Sequence, residues 1–236
     1  MHEDFQYILS ENGPPEPGPL PTGEDIRFMN EHLPANYVEF VSTYSFGSYL
    51  DRGWFFVEPR AYRSLITMIF KGRKDFHHTN TFVLGYSAFG KLDIWSNEHY
   101  VIRVNLLTNE VSCPALAPSK LTGPPIPPGV TRRAITPENM VAGIIPDEKD
   151  DCELWDLPDG EPMFARCQKL YGRLEHGECY GFVPALGLVG GYHSRQRNVD
   201  NIKRLSALEH FTLIASLHDF ALVRTNMGRK EVVRVF

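Results

Sequence analysis

A chain of 236 residues with 42% hydrophobic and 22% charged residues has enough apolar material to bury a sizeable core, which excludes a globally disordered protein. Its net charge of −5 argues against a dedicated nucleic-acid binder, and the acidity is local: Asp147–Glu161 holds eight carboxylates against Lys149, a net −7, so the remainder sums to +2. Four scattered cysteines without C-x-x-C spacing, no charged-then-apolar N-terminal leader, and no apolar run of about 18 residues fit a soluble cytoplasmic protein with free thiols and no membrane span.

The first third reads as broken helices. A short helix over Asp4–Leu9 stops at Asn12-Gly13-Pro14-Pro15, and a Pro/Gly-rich connector runs on to Gly23. A second helix covers Glu24–His32, with Thr22 or Gly23 near its cap. Pro34 suits the first turn of a third, which ends near Ser45; Tyr37, Phe40, Val41 and Tyr44 recur on one face. After a turn over Gly47–Gly53, Trp54–Val57 is an aromatic strand. Pro59 then opens a helix over Arg60–Phe70, stopped by Gly72.

The middle is rich in β-branched and aromatic residues. It predicts strands over Thr81–Tyr86, Lys91–Trp95, Tyr100–Leu106 and Val111–Leu116. The short turns Phe89-Gly90 and Thr108-Asn109 imply an antiparallel meander.

Seven prolines between Pro114 and Pro137 mark a stiff crossing and the preferred domain boundary. Thr136 caps a short helix running to about Ile144, with Pro137 at its first position. Past the acidic segment, Pro162–Leu174 is helical, Tyr180–Val189 is a strand interrupted by Pro184 and Gly187, and Val199–Leu217 carries the strongest helical period. Ala221–Thr225 and Val232–Phe236 are closing strands joined by the Asn226-Met227-Gly228 turn. The expected fold is α+β: an antiparallel sheet flanked by helices, with a smaller C-terminal α+β unit packed against it. The domains fall at 1–116, 117–145 (connector and short helix) and 146–236.

Few residues offer chemistry. His77 and His78 are adjacent, so on a strand they face opposite ways and cannot share a metal ion. Cys179 lies near His176, and a Cys–His pair could form a thiolate nucleophile, but a small apolar cysteine at a strand start suits a core. Gly187-Leu188-Val189-Gly190-Gly191 lacks the lysine and Ser/Thr of a phosphate loop and reads as a turn. Glu175 and Glu178 bracket a turn as solvated carboxylates. The C-terminal stretch from Tyr192 carries eight basic residues against four acidic ones but no motif that reads nucleic acid.

Two sets of motifs resemble known families. Phe5-x-x-x-Leu9, Gly13-Pro14-Pro15, Leu33-Pro34, Trp54-Phe55-Phe56-Val57-x-Pro59 with Tyr62, and Ser87-Ala88-Phe89-Gly90-x-Leu92-x-x-Trp95 look like the bacterial GAD-like domain. Leu170-Tyr171-Gly172-x-Leu174, Glu178-x-Tyr180-Gly181-Phe182-Val183-Pro184-Ala185-Leu186, Gly190-Gly191 and the helix through Glu209-His210 resemble the small domain that follows it in type VI secretion system immunity proteins. The resemblance implies an antitoxin-like protein that binds a cognate secreted effector, in the best-known members a DNase. It implies no catalytic residues and no cofactor or metal. It also makes Trp54, Trp95 and Phe182 scaffold residues.

The residues themselves point to a partner surface in the acidic segment, at Asp147, Glu148, Asp150, Asp151, Glu153, Trp155 and Asp156. Apolar anchors in an anionic frame suit an interface with a basic nuclease cleft: the anchors supply affinity and the charges supply rate and selectivity. Trp155 is the expected hot spot, against the plainer reading that it fills the protein's own core. Rival functions are a hydrolase using Cys179 and His176, and a nucleic-acid-associated regulator using the basic C-terminal end.

Overall fold

In the computed structural model, which describes residues 1–118, 136–146, 152–226 and 229–236, a strand meander runs between two helical layers. The first layer is α1 (Glu3–Asn12), α2 (Gly23–His32) and α3 (Ala35–Tyr44). Thr22 caps α2 in a reciprocal box: its hydroxyl accepts from Asp25 N–H, and the Asp25 carboxylate accepts from Thr22 N–H. Strands β1 (Ser48–Tyr49) and β2 (Trp54–Phe56) precede α4 (Arg63–Phe70). Helix α4 starts three residues later than the sequence predicts. Arg60, expected inside it, ion-pairs instead with Glu24, Asp25 and Glu58.

Strands β3 (Thr81–Ser87), β4 (Lys91–Ser96), β5 (Tyr100–Asn105) and β6 (Glu110–Ser112) complete the expected meander, each antiparallel to the one before. Strand β6 ends at Ser112 rather than Leu116; Pro114, just beyond, has no N–H to give a ladder. Along the strands, side chains alternate between two cores. Phe55, Val83, Leu92, Ile94, Ile102 and Val104 face one; Trp54, Phe56, Phe82, Leu84, Trp95 and Val101 face the other, under α1–α3. Burial on both faces explains why every residue of β3 is buried.

Helix α5 (Pro137–Val141), capped by the Thr136 hydroxyl as expected, lies on the second face. The C-terminal unit contains α6 (Phe164–Tyr171), β7 (Glu178–Phe182), β8 (Ile202–Ser206) and α7 (Ala207–Ala215), and it shares the first core with the sheet. Tyr86 joins the two parts. Its ring stacks on Phe55 at 5.3 Å and meets Phe211 edge-on at 5.4 Å, and its hydroxyl accepts from Gly177 N–H and donates to Glu178 O.

The long helix expected over Val199–Leu217 is a correction. Residues 202–206 form β8, which pairs antiparallel with all of β7, and α7 begins only at Ala207. Three-residue apolar steps fit a helix, but the open side of β7 offers a ladder, and tertiary pairing overrides local period. Strand β7 is also shorter than expected, ending at Phe182. The closing strands β9 (Ala221–Asn226) and β10 (Arg229–Val235) form the expected hairpin. They do not belong to the small sheet: β9 runs parallel beside β6, so the large sheet reads β1-β2-β3-β4-β5-β6-β9-β10.

Candidate functional site

The described half of the acidic segment is a well-anchored loop leading into α6. The Glu153 carboxylate accepts three backbone hydrogen bonds, from Leu154 N–H at 2.9 Å, Met163 N–H at 2.9 Å and Phe164 N–H at 2.8 Å. It thereby ties the loop to the first turn of α6, where unpaired N–H groups favour an anion. Asp156 is 3% exposed. Its carboxylate accepts from Val199 N–H at 3.0 Å and lies 3.4 Å from the Arg166 guanidinium. Leu154 is buried in the shared core. Trp155 bridges Pro162 across the loop and is 50% exposed.

Of the seven residues singled out in the sequence, the structure therefore separates three. Trp155 points outward, while Glu153 and Asp156 are occupied holding the loop that presents it. Asp147, Glu148, Asp150 and Asp151 lie outside the described residues.

Trp155 forms a wall of a cleft of about 400 Å³, together with Phe89, Leu107, Leu154, Tyr192 and His193. Lys91, Asn105, Glu110 and Lys230 line both this cleft and a second one of about 380 Å³ over the outer strands. Its floor holds Asp93, which accepts from the Trp54 indole N–H at 2.9 Å and from Arg103 Nε at 3.0 Å. Burial pushes the Asp93 carboxyl upward, and the Arg103 and Trp54 contacts oppose that shift. Sequence reasoning missed Tyr192, His193 and Lys230. They reach the cleft only because Gly190 and Gly191, both at positive φ, turn the chain and because β10 joins the large sheet.

The other chemical candidates are placed elsewhere. Cys179 is fully buried on β7 opposite Leu205, and burial drives its thiol far above the usual range, which disfavours a thiolate. His176 lies 2.9 Å from Phe56 O, with its ring edge-on to Phe55. His77 pairs with Glu98. Among the described residues, no group of three or more His, Cys, Asp or Glu side chains is placed to hold a metal ion, and no helix is long and apolar enough to cross a membrane.

Two strand glycines have steric reasons, Gly85 on β3 and the motif residue Gly181 on β7. A Cβ on Gly85 would stand 1.9 Å from the Trp54 ring, and one on Gly181 would stand 2.6 Å from His210 Nε2. Trp54, Trp95 and Phe182 are buried, as scaffold residues should be.

The α+β scaffold carries both sets of family motifs and sets a half-exposed tryptophan beside a cleft. Family comparison agrees: residues 3–108 match the GAD-like domain, and residues 146–218 match the T6SS immunity protein Tdi1, C-terminal. The chain is a two-part protein of the type VI secretion system immunity class, a GAD-like domain followed by a Tdi1-type C-terminal domain. Among solved structures it is similar to Atu4351 from Agrobacterium tumefaciens, with a TM-score of 0.78 and 26% identity over 100% of this chain and 97% of that one. No curated protein matches the chain.

Proposed function

We propose that this protein stays in the cytoplasm and neutralises a cognate type VI effector, a DNase-type toxin, by binding it rather than by catalysis. The observation that carries this reading is the immunity-domain match over residues 146–218, which begins at the acidic segment and includes Trp155. Trp155 is the anchor: a half-exposed indole on a loop fixed by Glu153 and Asp156 offers a large apolar surface at little entropic cost. Asp147, Glu148, Asp150 and Asp151 supply the anionic frame that steers the protein toward the basic cleft of a nuclease. Glu153 and Asp156 act indirectly, by presenting Trp155.

Mixing the purified chain with the toxin encoded beside its gene tests the reading. A stable complex and loss of DNA cleavage are expected; free migration of both proteins with toxicity intact on co-expression would refute it.

A further inference from the structure

Strand β10 is the last strand of the large sheet, and among the described residues no strand pairs with its outer side. It is also the most exposed strand of the fold, with Val232 at 64%, Val233 at 43% and Val235 at 66%. A seven-residue strand with a free side and three exposed valines among four charged residues offers a ladder to another chain, and its charges restrict which chain can take it. It lies outside both family-matched segments.

We propose that β10 pairs antiparallel with β10 of a second copy of this chain, about a two-fold axis between Val232 and Val233. Three features of the strand select this occupant and this register.

The first is hydrogen-bond parity. Phe220 and Phe236 exchange both backbone hydrogen bonds, at 3.1 and 2.8 Å. Bonded and non-bonded pairs alternate along an antiparallel ladder, so Val235, opposite Ala221, turns its N–H and C=O away from β9. Ala221 N–H donates to Asn109 O on the opposite side at 2.8 Å, as that alternation requires. Lys230, opposite Thr225, faces outward by the same rule. In the proposed register Lys230 meets Val235 of the second copy, so outward-facing groups meet outward-facing groups at both ends.

The second is charge. The same register sets Glu231 opposite Arg234 of the second copy, twice per dimer. Glu231 already bonds Arg224 and Asn226, and Arg234 bonds Asp75. The cross-strand contact would join these pairs into one charge network across the axis.

The third is the bulge. The β9–β10 register shifts between Val232 and Arg234, which inserts Val233. Without it, Glu231 and Arg234 would project from opposite faces. With it, they stand opposite Arg224 and Leu222, two residues apart on β9, and share a face. Lys230 and Val235, opposite Thr225 and Ala221, share the other face. A bulge that ordinarily spoils an edge here makes the self-complementary register consistent, and an isologous interface needs such self-complementarity.

Sedimentation velocity of the full chain across the micromolar range tests the pairing. Wild type is expected to move from one to two chain masses. Glu231→Arg alone and Arg234→Glu alone each oppose like charges twice and should weaken association by roughly tenfold. The double swap E231R/R234E should restore it. Val235→Lys, which leaves the internal ion pairs untouched and sets Lys opposite Lys230, should give a folded monomer. A wild type that stays monomeric throughout, a Val235→Lys variant that still dimerises, or a folded double swap that remains monomeric would overturn the proposal. A monomeric wild type whose effector binding is lost in Val235→Lys would overturn it too, and would give the edge to an effector strand instead.

Discussion

Replacing Trp155 with alanine should damage effector binding far more than folding. A tryptophan buries up to about 250 Å² when covered, and Trp155 has half its surface open, so about 125 Å² remains for a partner. At about 25 cal/mol per Å² that area is worth roughly 3 kcal/mol, or on the order of 100-fold in Kd. The fold should lose only about 1 kcal/mol, because Glu153 and Asp156 fix the loop through contacts that do not involve the indole. Isothermal titration against the effector, with denaturant unfolding of the same preparation, separates the two effects. Trp155→Ala binding within about threefold of wild type, with the fold intact, would refute the assignment of Trp155 as the anchor.

Glu153→Ala leaves three backbone N–H groups without their carboxylate and should cost about 2 kcal/mol in urea unfolding, while Glu153→Gln, which keeps a carbonyl acceptor, should cost less. His210 is buried, and burial holds its pKa down at about 4. The unfolded chain therefore binds its proton first, near the ordinary value of 6.5. His210 stability is fully present above about pH 6.5 and is lost as pH falls towards 4, by on the order of 3 kcal/mol. Thermal melts across that window should show the loss in wild type and a flatter profile in His210→Leu. Cys179→Ala should keep full protection against the toxin in a co-expression assay, since the thiol is buried and held protonated; loss of protection in a folded variant would favour the hydrolase reading.

Much of the fold was legible because local signals agreed with tertiary demands. Thr22 and Thr136 cap the helices they precede, and the meander from Thr81 to Ser112 follows from β-branched and aromatic runs joined by short turns. Legibility failed where one segment met a partner far along the chain. Ile202–Ser206 reads as helix but completes a ladder with β7, and β9 returns across the C-terminal unit to lie parallel with β6. Periodicity carries no information about such pairings.

The candidate site was legible in the same uneven way. Composition picked out Trp155 within its acidic run, and the structure gives it an outward position. Composition could not show that Glu153 and Asp156 turn inward, because a carboxylate bound to backbone N–H groups and one facing solvent are the same letter. The cleft wall at Tyr192 and His193 depends on a glycine turn, and Lys230 on a sheet extended by a distant hairpin.

Titrating the cognate toxin's DNA cleavage with this protein tests most directly whether it works by occupying a partner. Cleavage should fall linearly to a sharp endpoint at a fixed molar ratio, with a complex of matching composition recovered at that endpoint. Complete protection at a small fraction of that ratio, with the toxin chemically altered and no complex recovered, would contradict it.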